Sequence, residues 1–240
     1  MMAPAPDRHA PVPVPTERGA ASALLPLTAT LIYYSLPSTL QAQTLIQLTP
    51  QLLSYAALAW WTAHNPDIAP RLGLATSGGP DALRWGLPTG LLLGGLNTWV
   101  ILVVFSNLGY DIRFLRDTPH AQVPLLIMVP WFICGIAVFV ELNFRGFVLG
   151  RLAALESTFW TSVPLRRLSP VALALSALAF TFDPFMVNTF KGLHWIALWD
   201  GLIWGMIRLR TGNLLITIVA HAVEVIVMYL AVRTALIIES

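Results

Sequence analysis

Long apolar runs recur along this chain, separated by short stretches rich in Pro, Gly, Asn and Asp. A helix of about 20 apolar residues spans the hydrocarbon core of a bilayer. Inside that layer a backbone must satisfy its own polar groups, so a chain of such runs folds as a bundle of membrane helices. Composition agrees: 56% of the 240 residues are hydrophobic and 11% charged, against about 25% charged in soluble domains. Mean hydropathy is +0.70. The fold class expected is all-α, a polytopic bundle of about seven (six to eight) transmembrane helices. Net charge is only +2, and no basic cluster interleaved with aromatics supports a nucleic-acid partner. The single cysteine, Cys134, lies in an apolar run and can form no disulfide within the chain.

Punctuation divides the chain. Residues 1–20, "MMAPAPDRHAPVPVPTERGA", are expected to be a disordered Pro-rich tail, because Pro interrupts both helix and sheet. They lack the apolar core of a signal peptide, so insertion is expected to rely on the first span. Residues 21–240 form one membrane domain. Its spans are expected at about 22–37, 43–63, 83–107, 121–149 (running on to about 156), 169–183, 190–207 and 213–235. The third carries "GLLLGGL", whose small residues permit close helix contact. Pro124 and Pro130 are positioned to kink the fourth. With the N-terminus cytoplasmic, Arg8, Arg18, Arg71, Arg84, Arg151, Arg166, Arg167, Arg208 and Arg210 fall inside. Arg113, Arg116, Lys191 and Arg233 then fall outside. This asymmetry favours a cytoplasmic N-terminus, and Trp60, Trp61, Trp85 and Trp160 fall near the inner boundary.

Against that apolar ground, the titratable residues inside spans stand out. Glu141 and Arg145 lie in "FVELNFRGFVLGRL". Each charge costs about 2.5–3.5 kcal/mol at the centre of a span on insertion scales. Their i,i+4 spacing places them on one helix face, where each lowers the cost of the other. His221 and Glu224 share a face at i,i+3. Counting helical rise from the nearest span end puts Glu141 roughly 15 Å deep, His221 roughly 13 Å and Asp200 roughly 12 Å. Three helices thus bring titratable groups to one level, while Asp183 and His194 fall towards the outer half. Each group also has a plainer reading. Glu141–Arg145 could be a structural ion pair, and His221 could bond a neighbouring helix. Asp200, before Gly201, could bond backbone at a kink, and Asp183, before Pro184, reads as a helix-end residue. Trp195, Trp199 and Trp204 read as packing and interfacial belt. The chain has no Gly-rich phosphate loop, no His-Glu-x-x-His and no Gly-x-Ser-x-Gly. No inverted repeat or matched pair of broken helices points to a transporter.

Three stretches, "VELNFRGFVLGRL", "LSALAFTFDPF" and "RLRTGNLLITIVAHAVEV", resemble in order and spacing the motifs of the CAAX-protease and bacteriocin-processing (CPBP) intramembrane proteases. Those motifs are Glu-Glu-x-x-x-Arg, Phe-x-x-x-His and His-x-x-x-Asn/Asp. The resemblance covers about residues 80–230. It implies an intramembrane endopeptidase that activates water within the bilayer, either as a glutamic enzyme needing no cofactor or with a divalent metal. Its substrate would be a membrane-anchored protein or peptide. Glu141 matches the second Glu, Arg145 the Arg and His221 the last His. Val140 stands at the first Glu, Asp183 at the first His if "AFTFD" is aligned there, and Val225 at the Asn/Asp, with Glu224 one residue earlier. Two readings follow. In one, the chemistry is rebuilt, with Glu141, Asp183, His221 and Glu224 holding a water or metal ion while Arg145 pairs Glu141. In the other, catalysis is lost and the fold serves as a scaffold or chaperone for a membrane-protein partner.

Overall fold

A computed structural model describes residues 17–74, 78–118, 120–159 and 169–238. The Pro-rich segment before Glu17, and Trp160, Arg166 and Arg167, lie outside the described residues. The described residues form helices and connecting turns, with no strand among them. The main helices are α1 (Leu24–Ser35), α2 (Thr44–His64), α3 (Gly79–Phe105), α4 (Leu125–Thr158), α5 (Pro170–Thr181), α6 (Pro184–Thr211) and α7 (Leu214–Ile238). Each stretch expected as a span therefore contains a helix. Among the described residues, α3, α4 and α7 are long and apolar enough to cross a membrane, and α5 with α6 adds a fourth crossing if that pair is one span. The pair is bent by 50° at the break between them.

The breaks have local causes. Asp183 caps the start of α6, accepting from the backbone N–H groups of Phe185 (3.1 Å) and Met186 (3.2 Å), and Pro184 fills the first helical position. Gly212 ends α6 with φ of 68°, a left-handed conformation open to glycine at little cost. The loop after α2 carries a short helix, Ile68–Leu72. Within α4, wide π-helical turns occupy Phe132–Ala137 and Leu142–Val148. The first follows Pro130, which removes a backbone donor, and a wide turn absorbs such a mismatch without ending the helix.

Helix α3 lies against α7 along a stripe of small residues. A Cβ placed on Gly86 would meet the carbonyl oxygen of Ile216 at 2.9 Å. On Gly90 it would meet that of Ala220 at 2.5 Å, and on Gly94 that of Glu224 at 3.0 Å. The absence of side chains lets the two backbones approach closely, as the sequence "GLLLGGL" leads one to expect. Helix α6 approaches α5 in the same way, with Gly201 against Ala177 and Gly205 against Leu173. These contacts leave the inner faces of α3, α4, α6 and α7 converging, and the charged residues of the spans lie there.

Candidate functional site

Glu141 is 0% exposed and Arg145 1%. Arg145 lies in the wide turn Leu142–Val148, and its Nη1 reaches Glu141 Oε1 at 3.1 Å. The guanidinium is held between two aromatic faces, 4.2 Å from the centroid of Phe180 and 5.1 Å from that of Trp204. Stacking of this kind compensates a guanidinium removed from water.

Helix α7 brings His221 to the same carboxylate. His221 Nδ1 lies 2.9 Å from Glu141 Oε1, and Trp204 of α6 stacks on the imidazole with centroids 4.6 Å apart and planes at 24°. Thr217, one turn before His221 and fully buried, donates its hydroxyl to the Leu214 carbonyl at 2.9 Å. An ionised carboxylate can only accept, so the proton of the His221–Glu141 bond resides on Nδ1, and a neutral imidazole then carries its lone pair on Nε2.

A second polar cluster adjoins the first. Asn97 of α3 donates through Nδ2 to Glu224 Oε1 (2.5 Å) and to both carboxylate oxygens of Asp200 (3.3 and 3.1 Å). Its own Oδ1 accepts from Trp199 Nε1 at 2.9 Å. That bond fixes the amide so that its donors face the acids. Asn97 thus draws the Asp200 and Glu224 carboxylates together, and both lie within the electrostatic reach of Arg145. Asn97, Asp200 and Glu224 are all buried.

The structure therefore brings Glu141, Arg145 and His221 together and sets Glu224 beside them with Asp200. It gives Asp183 a different setting. Besides capping α6, Asp183 Oδ1 accepts from Gln51 Nε2 at 2.9 Å, and it lines a small pocket with Thr30, Ser54 and Phe144. Val140 packs into an apolar cluster with Phe144, Phe180 and Ala197. His194 is half-buried and bonds the carbonyl of Lys191. Asn97 and Trp199 are the members of the site that motif reading passes over. The signal was positional, since Asn97 follows Gly94 by three residues on the glycine-lined face of α3. Trp204, read from sequence as packing, covers both Arg145 and His221.

The donor set suits an organic cation better than a metal. Among the described residues no three His, Cys, Asp or Glu side chains are grouped to hold a metal ion. The Arg145 guanidinium provides the positive charge between the acids, and Asn97 presents N–H groups rather than an oxygen. Several buried polar atoms have no hydrogen-bond partner among the described residues: Glu141 Oε2, Arg145 Nη2, Trp204 Nε1 and Glu224 Oε2.

Residues 122–227 match the family model described as type II CAAX prenyl endopeptidase Rce1-like. No curated protein and no solved structure matches the chain. The matched segment lies inside the expected region of about 80–230. It holds Glu141, Arg145, Asp183, Asp200, His221 and Glu224, while Asn97 reaches the site from outside it. Together with the apolar helices, this makes the chain an integral membrane protein whose residues 122–227 match the Rce1-like model of the CPBP family.

Proposed function

We propose that this protein is an intramembrane endopeptidase that hydrolyses a peptide bond of a membrane-anchored substrate. One observation carries the reading: His221 Nδ1 is held at 2.9 Å by the buried carboxylate of Glu141. A carboxylate that fixes the tautomer and orientation of an imidazole makes its other nitrogen a general base. On this reading His221 Nε2 takes a proton from water and the water oxygen attacks the scissile carbonyl carbon. When the tetrahedral intermediate collapses, the C–N bond breaks and His221 returns the proton to the leaving amine.

Val140 offers no carboxylate at the family's first Glu position, so base catalysis rests on His221, with Glu141 and Arg145 as positioning residues. Val225 offers no side-chain donor where the family has Asn or Asp. Trp204 Nε1, a buried donor with no acceptor among the described residues, takes the oxyanion-stabilising role. Glu224, with Asp200, balances the charge of Arg145, and Asp183 sets the start of α6. No step requires a metal. The activity resides in the membrane domain, residues 21–240, with the N-terminus cytoplasmic.

The test is cleavage of a fluorescent prenylated peptide by the protein reconstituted in liposomes. His221→Ala is expected to lower the rate by about 10²–10⁴, the usual worth of a positioned base. Equal cleavage by wild type and His221→Ala overturns the proposal.

A second reading, a non-catalytic scaffold for a membrane-protein partner, is favoured by one observation: Val140 packs into the apolar cluster of Phe144, Phe180 and Ala197. It predicts that His221→Ala leaves partner assembly intact while Arg145→Ala destabilises the protein.

A further inference from the structure

At the end of the bundle away from His194, Glu17 enters a cluster of arginines. Glu17 accepts from Trp61 Nε1 at 2.9 Å, forms an ion pair with Arg71 at 3.6 Å and pairs with the Nε of Arg151. Arg151 stacks over Trp61, with its guanidinium carbon 4.1 Å from the ring centroid. Arg71 and Arg208 are close enough to repel Arg151, and Arg208 Nη2 contacts the Arg71 carbonyl at 3.5 Å. Arg151 is 5% exposed, yet among the described residues its Nη1 has no hydrogen-bond acceptor, and neither does the buried Nε of Arg208. Like charges gathered beneath the surface with unused donors require an anion. A single carboxylate has two oxygens, and Glu17 directs them to Trp61, Arg71 and Arg151. The donors left over on Arg151 and Arg208 call for an anion with more oxygens.

Depth fixes which anions can arrive. Arg151 lies ten residues along α4 from Glu141, so roughly 15 Å by helical rise. That is about half the thickness of the hydrocarbon core, as expected if Arg151 ends the span at headgroup level and Glu141 lies near its centre. Arg208 lies in the last turn of α6, and the adjoining Leu214 N–H bonds Gly73 O at 2.8 Å, so the cluster sits where α4, α6 and the loop after α2 reach the surface. Basic pockets at such positions take phosphate headgroups, and guanidinium forks match phosphate geometry.

We infer that Arg71, Arg151 and Arg208 form a phosphate-binding site at the membrane surface, for which Glu17 is a tethered competitor.

The test uses the full chain in two arms. In the first, native mass spectrometry counts phosphatidic acid retained by detergent-solubilised protein, with phosphatidylcholine as the neutral comparison. In the second, thermal unfolding is followed with added inorganic phosphate at ionic strength held constant with chloride. Glu17→Gln is expected to raise phosphatidic acid affinity by about three- to tenfold, the effect of removing one partly buried competing carboxylate. Arg208→Gln is expected to lower it. Retention of phosphatidic acid without a response to inorganic phosphate identifies a lipid headgroup as the ligand, and a response in both arms identifies phosphate in general. Equal retention of both lipids with no response to phosphate overturns the inference. So does phosphatidic acid binding that Glu17→Gln and Arg208→Gln leave unchanged. Because Glu17→Gln predicts a gain, a folding defect cannot mimic the expected result.

Discussion

Glu141 holds His221 through one oxygen and Arg145 through the same atom. Removing its charge while keeping its shape therefore separates orientation from packing. Glu141→Gln should leave the imidazole stacked on Trp204 but offer it an amide in place of a carboxylate. Peptide cleavage is expected to fall, although less than in His221→Ala, with retention on size-exclusion chromatography unchanged. Asn97 supplies hydrogen bonds to both Asp200 and Glu224. Asn97→Ala leaves buried acceptors without their donor, at a cost of about 1–3 kcal/mol, and a lower thermal unfolding midpoint in detergent checks it. At this scale the sequence was only partly legible. Counting helical rise placed Glu141, His221 and Asp200 at one level, and i,i+4 spacing identified the partner of Arg145. It could not bring Asp200 and Glu224 to Asn97, because those contacts depend on how far the helices rotate about their axes. Depth alone also left Asp183 ambiguous, whereas the Asp-Pro dipeptide already described the cap that the structure displays.

The elements were the most legible part, since each apolar run bounded by Pro, Gly or polar residues became a helix. Wide turns were not legible. No residue in "LNFRGFV" forces one, and the turn matters because it carries Arg145 beneath Phe180 and Trp204. The glycines of α3 were legible as a contact face, though not the helix they would meet. Gly90→Ala tests that contact. Its new methyl would lie 2.5 Å from the Ala220 carbonyl, so α3 and α7 must separate at the level where His221 follows. The expected destabilisation is about 1–3 kcal/mol, as for overpacking elsewhere. Urea or thermal unfolding in detergent measures it, and an unchanged midpoint would show that the helices do not meet as described. Cleavage should fall as well, because α7 carries His221.

Across the whole molecule, the acids and bases of the buried cluster come from α4, α6 and α7, and α3 adds the Asn97 amide that bonds two of the acids. Orientation is a property of this scale too. The proposed cytoplasmic N-terminus predicts that a cysteine introduced at Arg84 is labelled by a membrane-impermeant reagent only from the cytoplasmic side, and one at Arg113 only from the opposite side, in a Cys134→Ala background. The burial of Arg145 has a consequence for how the chain is made. Helix α4 leaves the ribosome before α6 and α7, and it can enter the bilayer as a self-neutralised pair because Glu141 is its own counterion. Asp200 and Glu224 have no cation on their own helices at that depth. They become stable in lipid only after docking against a guanidinium already in place, so the order of synthesis is also the order of assembly.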